Sequence, residues 1–314
     1  MHRDTPSTSA GPFSAGPPAD EDVVATRLLS ERPPRAPDHA AENRALVSLA
    51  HLLAESPEAF FGRLAETARE LCDAGSAGVS LIEPADDGPV LRWVAAAGVL
   101  APFLGRAFPR ELDPCALAVD RDETLLLLGP ARRFPRLAEA SPPPDEVLLV
   151  PIHRRGEPAG AVWIAAHGPG KRFDAEDARV VSSLAEIAST AAQTLEDQAA
   201  LRESEERFRA AFEQTSVGMV LTDLQGRIQR ANDTFCRIVG RPREELVGRD
   251  SRHMTHPDDY TPLADLLGRL VAGELPSFIF EKRYLRPDGA VVWAQTTVSM
   301  MRDARGRPVA LVGI

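Results

Sequence analysis

Between Asp174 and Gln214 the chain contains neither glycine nor proline. Read as one helix, this stretch extends about 60 Å. Asp174 suits the N-cap, and Glu176 and Asp177 suit the first turn, where the helix dipole favours negative charge. A 4-3 spacing runs through Val180, Leu184, Ile187, Ala191, Thr194, Gln198, Leu201, Glu205, Phe208 and Phe212. Such spacing is a heptad seam, here apolar at both ends and polar in the middle. It predicts a continuous helix that pairs with its twin over residues 180–212, giving a homodimer. The alternative is two helices meeting near Gln198, one closing a domain and one opening the next. A weak seam centre sets register at a cost in stability, which suits a part that switches.

The rest of the chain must then supply folded bodies on either side. Its 314 residues suggest about two domains. A net charge of −10 argues against a nucleic-acid surface, so no nucleic-acid partner is expected. The cysteines Cys72, Cys115 and Cys236 are widely spaced and odd in number, which speaks for a reducing compartment and against a disulfide framework or zinc site. No apolar run approaches the ~20 residues of a membrane helix, and the N-terminus lacks a signal-peptide core. The expectation is a cytoplasmic protein with no membrane segment and no bound metal.

Residues 1–39 are rich in Pro, Ala, Ser and Asp. They offer too little apolar surface to offset chain entropy, which predicts disorder, with some helical tendency over Val23–Leu29. Helices are expected over Asn43–Ala54 and after Ser56, with Ser56 as N-cap and Pro57 at the first position. Phe60, Leu64 and Leu71 share a face of the second helix, and Gly75 ends it. Strands follow over Ala77–Glu83, Val90–Ala96, Thr124–Leu128, Glu146–Ile152 and Ala159–Ala165, the last two joined by the hairpin signal Arg154-Arg155-Gly156-Glu157.

Four segments carry a resemblance here: Ala77-Gly78-Val79-Ser80-Leu81, Leu148-Leu149-Val150-Pro151-Ile152, Gly160-Ala161-Val162-Trp163, and Arg172-Phe173-Asp174-Ala175-Glu176-Asp177. Together they resemble a GAF domain, a ligand-sensing fold, over residues 40–195. They are strand and cap patterns, so they specify fold better than ligand.

Further on, Val217–Thr222 and Gly226–Gln229 read as a hairpin. Short helices follow Asn232 and span Glu244-Glu245-Leu246, and a longer one lies within Pro257–Gly273. Three strands close the region: Phe278–Leu285, Val291–Met301 and Pro308–Ile314. Ala231-Asn232-Asp233-Thr234-Phe235, Leu246-Val247-Gly248-Arg249, His256-Pro257-Asp258-Asp259 and Tyr284-Leu285-Arg286-Pro287-Asp288-Gly289 together resemble a PAS domain over residues 203–314. In that family the last strand leads into an Asp-Ile-Thr signature and an output domain. The resemblance therefore implies an output domain beyond Ile314 and a PAS domain truncated at its C-terminal end. The fold class expected is α+β, two antiparallel-sheet sensory domains joined by a long helix over 180–214.

Catalytic signatures are absent from the sequence, and no catalytic residue is assigned. Flavin-bonding relatives of the PAS fold carry a cysteine where Gly248-Arg249-Asp250-Ser251 places Ser251, which cannot form the thiolate adduct. Cys236 is expected to be a buried small hydrophobe. A lone His253 is weak support for haem. Cys115 is followed by Ala116, not by the histidine of bilin-binding GAF domains. Phe173 and Asp177 only partly echo cyclic-nucleotide GAF domains, and helix capping explains both. Haem, flavin and bilin are not expected, and no cofactor is assigned. What remains is a generic pocket in each domain. Trp93, Phe103, Cys115, Phe134 and Trp163 are the candidate lining of the first, and Met219, Phe235, Ile238 and Leu246 of the second, although residues of each kind are more often plain core than ligand contacts. Alternation along the strand Val291–Met301 sends Trp293 to the face opposite Val292, Ala294, Val298 and Met300. The function these readings support is a sensory module that detects a small ligand or partner and relays the signal along a dimeric helix to an output domain. The alternative is the N-terminal part of a sensor histidine kinase, a diguanylate cyclase or a phosphatase, of which a protein histidine kinase fits best.

Overall fold

The computed structural model describes residues 20–168 and 170–314. The chain divides after Ala199 into two compact units.

The first unit begins with a helical turn, α1 (Leu28–Glu31), then α2 (His39–Glu55) and α3 (Phe60–Leu71). Ser56 does not cap α3 with its side chain; Pro57–Ala59 forms a 3-10 turn that leads into it. Strands β1 (Ser76–Glu83), β2 (Val90–Gly98) and β3 (Ala107–Pro109), helix α4 (Cys115–Arg121), then β4 (Leu125–Leu128), β5 (Glu146–Arg154) and β6 (Glu157–Ala166) follow. The six strands form one sheet in the order β3-β2-β1-β6-β5-β4. Adjacent strands are antiparallel.

Period-2 alternation splits this sheet between two cores. Leu148, Val162 and Ile164 face a core shared with Leu49, Phe60 and Leu64. Leu149, Ala161 and Trp163 face the other, which α4 and the loops cover. Gly78 in β1 makes room for an indole: a Cβ there would lie 2.2 Å from the Trp163 ring.

Helix α5 (Ala175–Gln214) runs unbroken, as the first of the two alternatives expects. Its start is reciprocally capped. Asp174 accepts from the Glu176 and Asp177 amides, and Asp177 accepts from the Asp174 amide. In its first half Val180, Val181, Leu184, Ala188 and Ala191 are buried in the first unit's own core. The seam positions Val180, Leu184 and Ala191, expected to face a twin, are thus taken up by the unit's own core, whereas from Gln198 to Arg207 every residue is exposed.

Disorder over residues 1–39 is corrected for its described part; residues 1–19 lie outside the described residues. Val23 is buried. Val24 bridges Leu127, and the Leu128 amide donates to the Val23 carbonyl. The segment thus covers the open edge of β4. Arg32 then forms a two-pronged ion pair with the buried Glu146 at 2.9 and 2.8 Å and donates to the Phe173 carbonyl. Arg35 reaches Asp177 at 2.9 Å. Composition misled because the partners lie more than a hundred residues away.

The second unit holds β7 (Val220–Thr222), β8 (Ile228–Ala231), α6 (Asp233–Val239), α7 (Arg243–Leu246), α8 (Tyr260–Val271), β9 (Ser277–Leu285), β10 (Val291–Arg302) and β11 (Pro308–Gly313). Its five strands run β8-β7-β11-β10-β9. Trp293 lies on the outer face, 67% exposed, with the Arg283 guanidinium over its ring at 5.4 Å. The carboxylates of His256-Pro257-Asp258-Asp259 lie just before α8. Asp259 makes no side-chain cap to α8. It accepts from the Arg283 amide and from its Nε and Nη2 instead, tying the loop to β9. That guanidinium holds the Asp259 carboxyl below its usual range.

Candidate functional site

The five candidate lining residues of the first unit do come together, as a closed core. Trp93, Phe103, Cys115, Phe134 and Trp163 are all at least 95% buried in one cluster. The two indoles pack at 4.6 Å between centroids. Their polar atoms are matched internally. Trp93 Nε1 donates to Asp113 at 2.7 Å, and Asp113 also accepts from the Cys115 amide at 2.8 Å. Ser80 Oγ accepts from Trp163 Nε1 at 3.2 Å and lies 3.4 Å from the Cys115 thiol. Trp93 and Phe103 border a space of about 10 Å³, room for about one water. Burial, then the neighbouring Asp113, pushes the Cys115 thiol well up. A thiol so held is a packing group rather than a nucleophile.

The second unit keeps an open interior. One lobe of about 50 Å³ lies among Val220, Thr222, Phe235, Leu263, Lys282 and Thr296. A lobe of about 90 Å³ lies among Val217, Gly218, Ile238 and Ala294, and the two share Val220, Phe235, Tyr284, Thr296 and Gly313. Of the predicted lining, Phe235 borders both lobes and Ile238 the second. Met219 and Leu246 border neither; Met219 is half-buried just before β7, and Leu246 is packed with Met254 in the core. Ser251, which stands at the flavin-bonding position, borders the first lobe. His253 is exposed and borders neither. Cys236, expected to be buried, is half-buried on α6.

Sequence reading missed Lys282, Tyr284, Thr222 and Thr296. A signal was available: Phe278, Phe280, Lys282 and Tyr284 alternate onto one face of β9, so the lysine stands in a core-facing register. Lys282 is 7% exposed, and its ammonium lies 4.6 Å from the centre of the Tyr284 ring.

Asn232 joins this cavity to the end of α5. Fully buried, it caps α6 by accepting from the Phe235 amide at 2.8 Å and also accepts from the Met219 amide at 2.9 Å. Its Nδ2 donates to the carbonyls of Phe212 and Val217, each at 2.9 Å. One side chain thus holds the last turn of α5, the strand entrance and a cavity-lining helix.

A GAF-domain model matches residues 54–193, and a PAS-fold model matches residues 206–314. The chain carries a GAF domain followed by a PAS domain. It is 34% identical over 112 residues to the probable diguanylate cyclase DgcE of Escherichia coli, covering 36% of this chain and 10% of that protein. It is 33% identical over 115 residues to the sensor histidine kinase TmoS of Ectopseudomonas mendocina, covering 37% and 12%. The C4-dicarboxylate transport sensor protein DctS of Rhodobacter capsulatus is 37% identical over 108 residues, covering 33% and 16%. The chain thus spans a small fraction of each relative's length. Among the described residues no helix is long and apolar enough to cross a membrane.

In the GAF domain, burial raises the Asp113 carboxyl above its ordinary range, against the opposing bonds from Trp93 and Cys115. A carboxyl raised on folding contributes stability that is fully present below the unfolded value of about 3.9 and is lost as pH rises through the folded value. Asp113→Asn removes this titration, at the constant cost of an amide facing the Cys115 N–H. Urea midpoints of the full chain should therefore shift in favour of the variant, relative to wild type, on going from pH 4 to neutrality. A difference that does not change with pH contradicts the assignment.

Proposed function

We propose that this chain is a cytoplasmic sensory relay in which the PAS cavity takes a small ligand and α5 carries the response. The observation that supports it most is Asn232, whose single amide ties the cavity-lining Phe235 to the last turn of α5. Displacing α6 on ligand binding must lengthen the bond to the Phe212 carbonyl or move that turn. The GAF domain, with its interior filled by Trp93 and Trp163, acts as the packed base of the helix. The reading needs no haem, flavin or bilin, since Ser251 replaces the adduct-forming cysteine and Cys115 is held as a buried thiol. The output is an enzyme domain of the kind named in the relatives, a histidine kinase or a diguanylate cyclase, on the same polypeptide or a partner.

Two copies pair through the exposed part of the seam. Leu201 is 61% exposed, on the stretch of α5 from Gln198 to Arg207 where every residue is exposed. Sedimentation of the full chain should show a dimer. Leu201→Asp should raise its dissociation constant at least tenfold, and Thr194→Leu with Gln198→Leu should lower it, since apolar seam residues drive helix pairing. A wild-type monomer, or a dimer indifferent to all three changes, rejects pairing through α5.

A further inference from the structure

A lysine in a core-facing register is the informative exception on a strand, and it calls for something to match its charge. Among the described residues Lys282 has neither a hydrogen bond nor an ion pair; its ammonium stands over the face of the Tyr284 ring at 4.6 Å. It is more than nine-tenths buried, and it borders the first lobe of the PAS cavity. Neither lobe contains an aspartate or glutamate side chain to neutralise it. The same inner face carries Thr222 and Thr296, buried to 8% and 6% exposure. Their hydroxyls also make no hydrogen bond among the described residues. Lys282, Thr222 and Thr296 therefore line a space otherwise walled by Val220, Phe235, Leu263 and Val298.

We propose that this cavity binds a small organic carboxylate with a short apolar body. Lys282 supplies the counter-charge. A threonine hydroxyl donates to the second carboxylate oxygen, and the body lies against Phe235 and Leu263. One positive charge matches one carboxylate. A phosphate group would bring about two negative charges and three acceptor oxygens, for which there is no arginine fork on the lining. The two lobes have room for a molecule of several heavy atoms, about the size of a few waters, which fits a short aliphatic acid. The proposal rests on reading the PAS cavity as the sensing site.

The test is calorimetric titration of the full chain with butyrate, with its uncharged isostere butyramide, and with inorganic phosphate. Butyrate should bind, and butyramide and phosphate should bind at least tenfold more weakly, because a charge-assisted bond is stronger than its neutral counterpart. Lys282→Met and Lys282→Gln should each weaken butyrate at least tenfold. Both variants should fold as wild type does without ligand, since Lys282 makes no hydrogen bond or ion pair among the described residues. Equal binding of butyrate and butyramide, unchanged butyrate binding in both variants, or no butyrate binding overturns the proposal. The relay is read separately. Butyrate that binds through Lys282 but leaves crosslinking at Leu201→Cys unaltered keeps the site and rejects the relay. Absent butyrate binding with an intact dimer rejects the site alone.

Discussion

In the full chain, Asn232→Ala lowers the unfolding free energy of the PAS domain by about 3 kcal/mol, the sum expected from losing a helix cap and leaving buried backbone groups unmatched. The side chain serves four backbone groups at 2.8 to 2.9 Å from a fully buried position. Water cannot replace it without opening the junction between β7 and α6. Two of the stranded groups are donors, the Met219 and Phe235 amides, and unsatisfied buried donors are the more costly kind. Asn232→Asp should not rescue the loss, because it keeps the oxygen that accepts from both amides but aims a second carboxylate oxygen at the Phe212 and Val217 carbonyls. Amide exchange resolves the effect. Protection should fall at residues 217–239 and at the last turn of α5, while the GAF sheet keeps its rates. A loss below about 1 kcal/mol, the size of an ordinary single hydrogen bond, would mean that these groups find other partners.

Glu146→Ala should cost about 3 kcal/mol in the GAF domain, the usual penalty for stripping one partner from a buried ion pair. Glu146 is 1% exposed and accepts from both prongs of Arg32, from the Phe173 amide at 3.0 Å, and lies 3.3 Å from Arg172 Nε. Its removal strands the Arg32 guanidinium, whose side chain is 20% exposed, and orphans the Phe173 amide beside the start of α5. The double replacement Arg32→Met with Glu146→Leu should recover a good part of the loss, since apolar groups of similar volume often substitute for buried pairs without penalty. Exchange over residues 23–35 distinguishes the two: fast in the single variant, slow again in the double. If the single variant is as stable as wild type, Arg32 is not what fastens this segment.

The parts of the molecule governed by near neighbours were readable in the amino-acid order. Asp174 and Asp177 sit three apart and cap each other, so the start of α5 could be placed from local chemistry. The outward position of Trp293 followed from strand alternation alone. Segment 20–38 was not readable in this way. Its order depends on Glu146 and Asp177, residues that only the folded sheet brings near. The pockets show the same division. That Trp93, Phe103, Phe134 and Trp163 gather was legible from their apolar character, but whether they leave a hole depends on how two indoles and Gly78 fit together, a matter of tertiary volume. Lys282 was legible and passed over: its register on β9 is as plain as that of Phe280, and a charged residue in a core-facing register is the informative exception.

Helix α5 is held at both ends by different means. Its first half is part of the GAF core, its last turn hangs on Asn232, and the residues between, Gln198 to Arg207, gain nothing from burial within their own chain. A free peptide of that length is only marginally helical in water. The shaft is thus a conditional structure, stiff while both domains hold it and apt to melt when either lets go. In the relay proposed above, such a shaft passes a response only while both of its ends stay anchored.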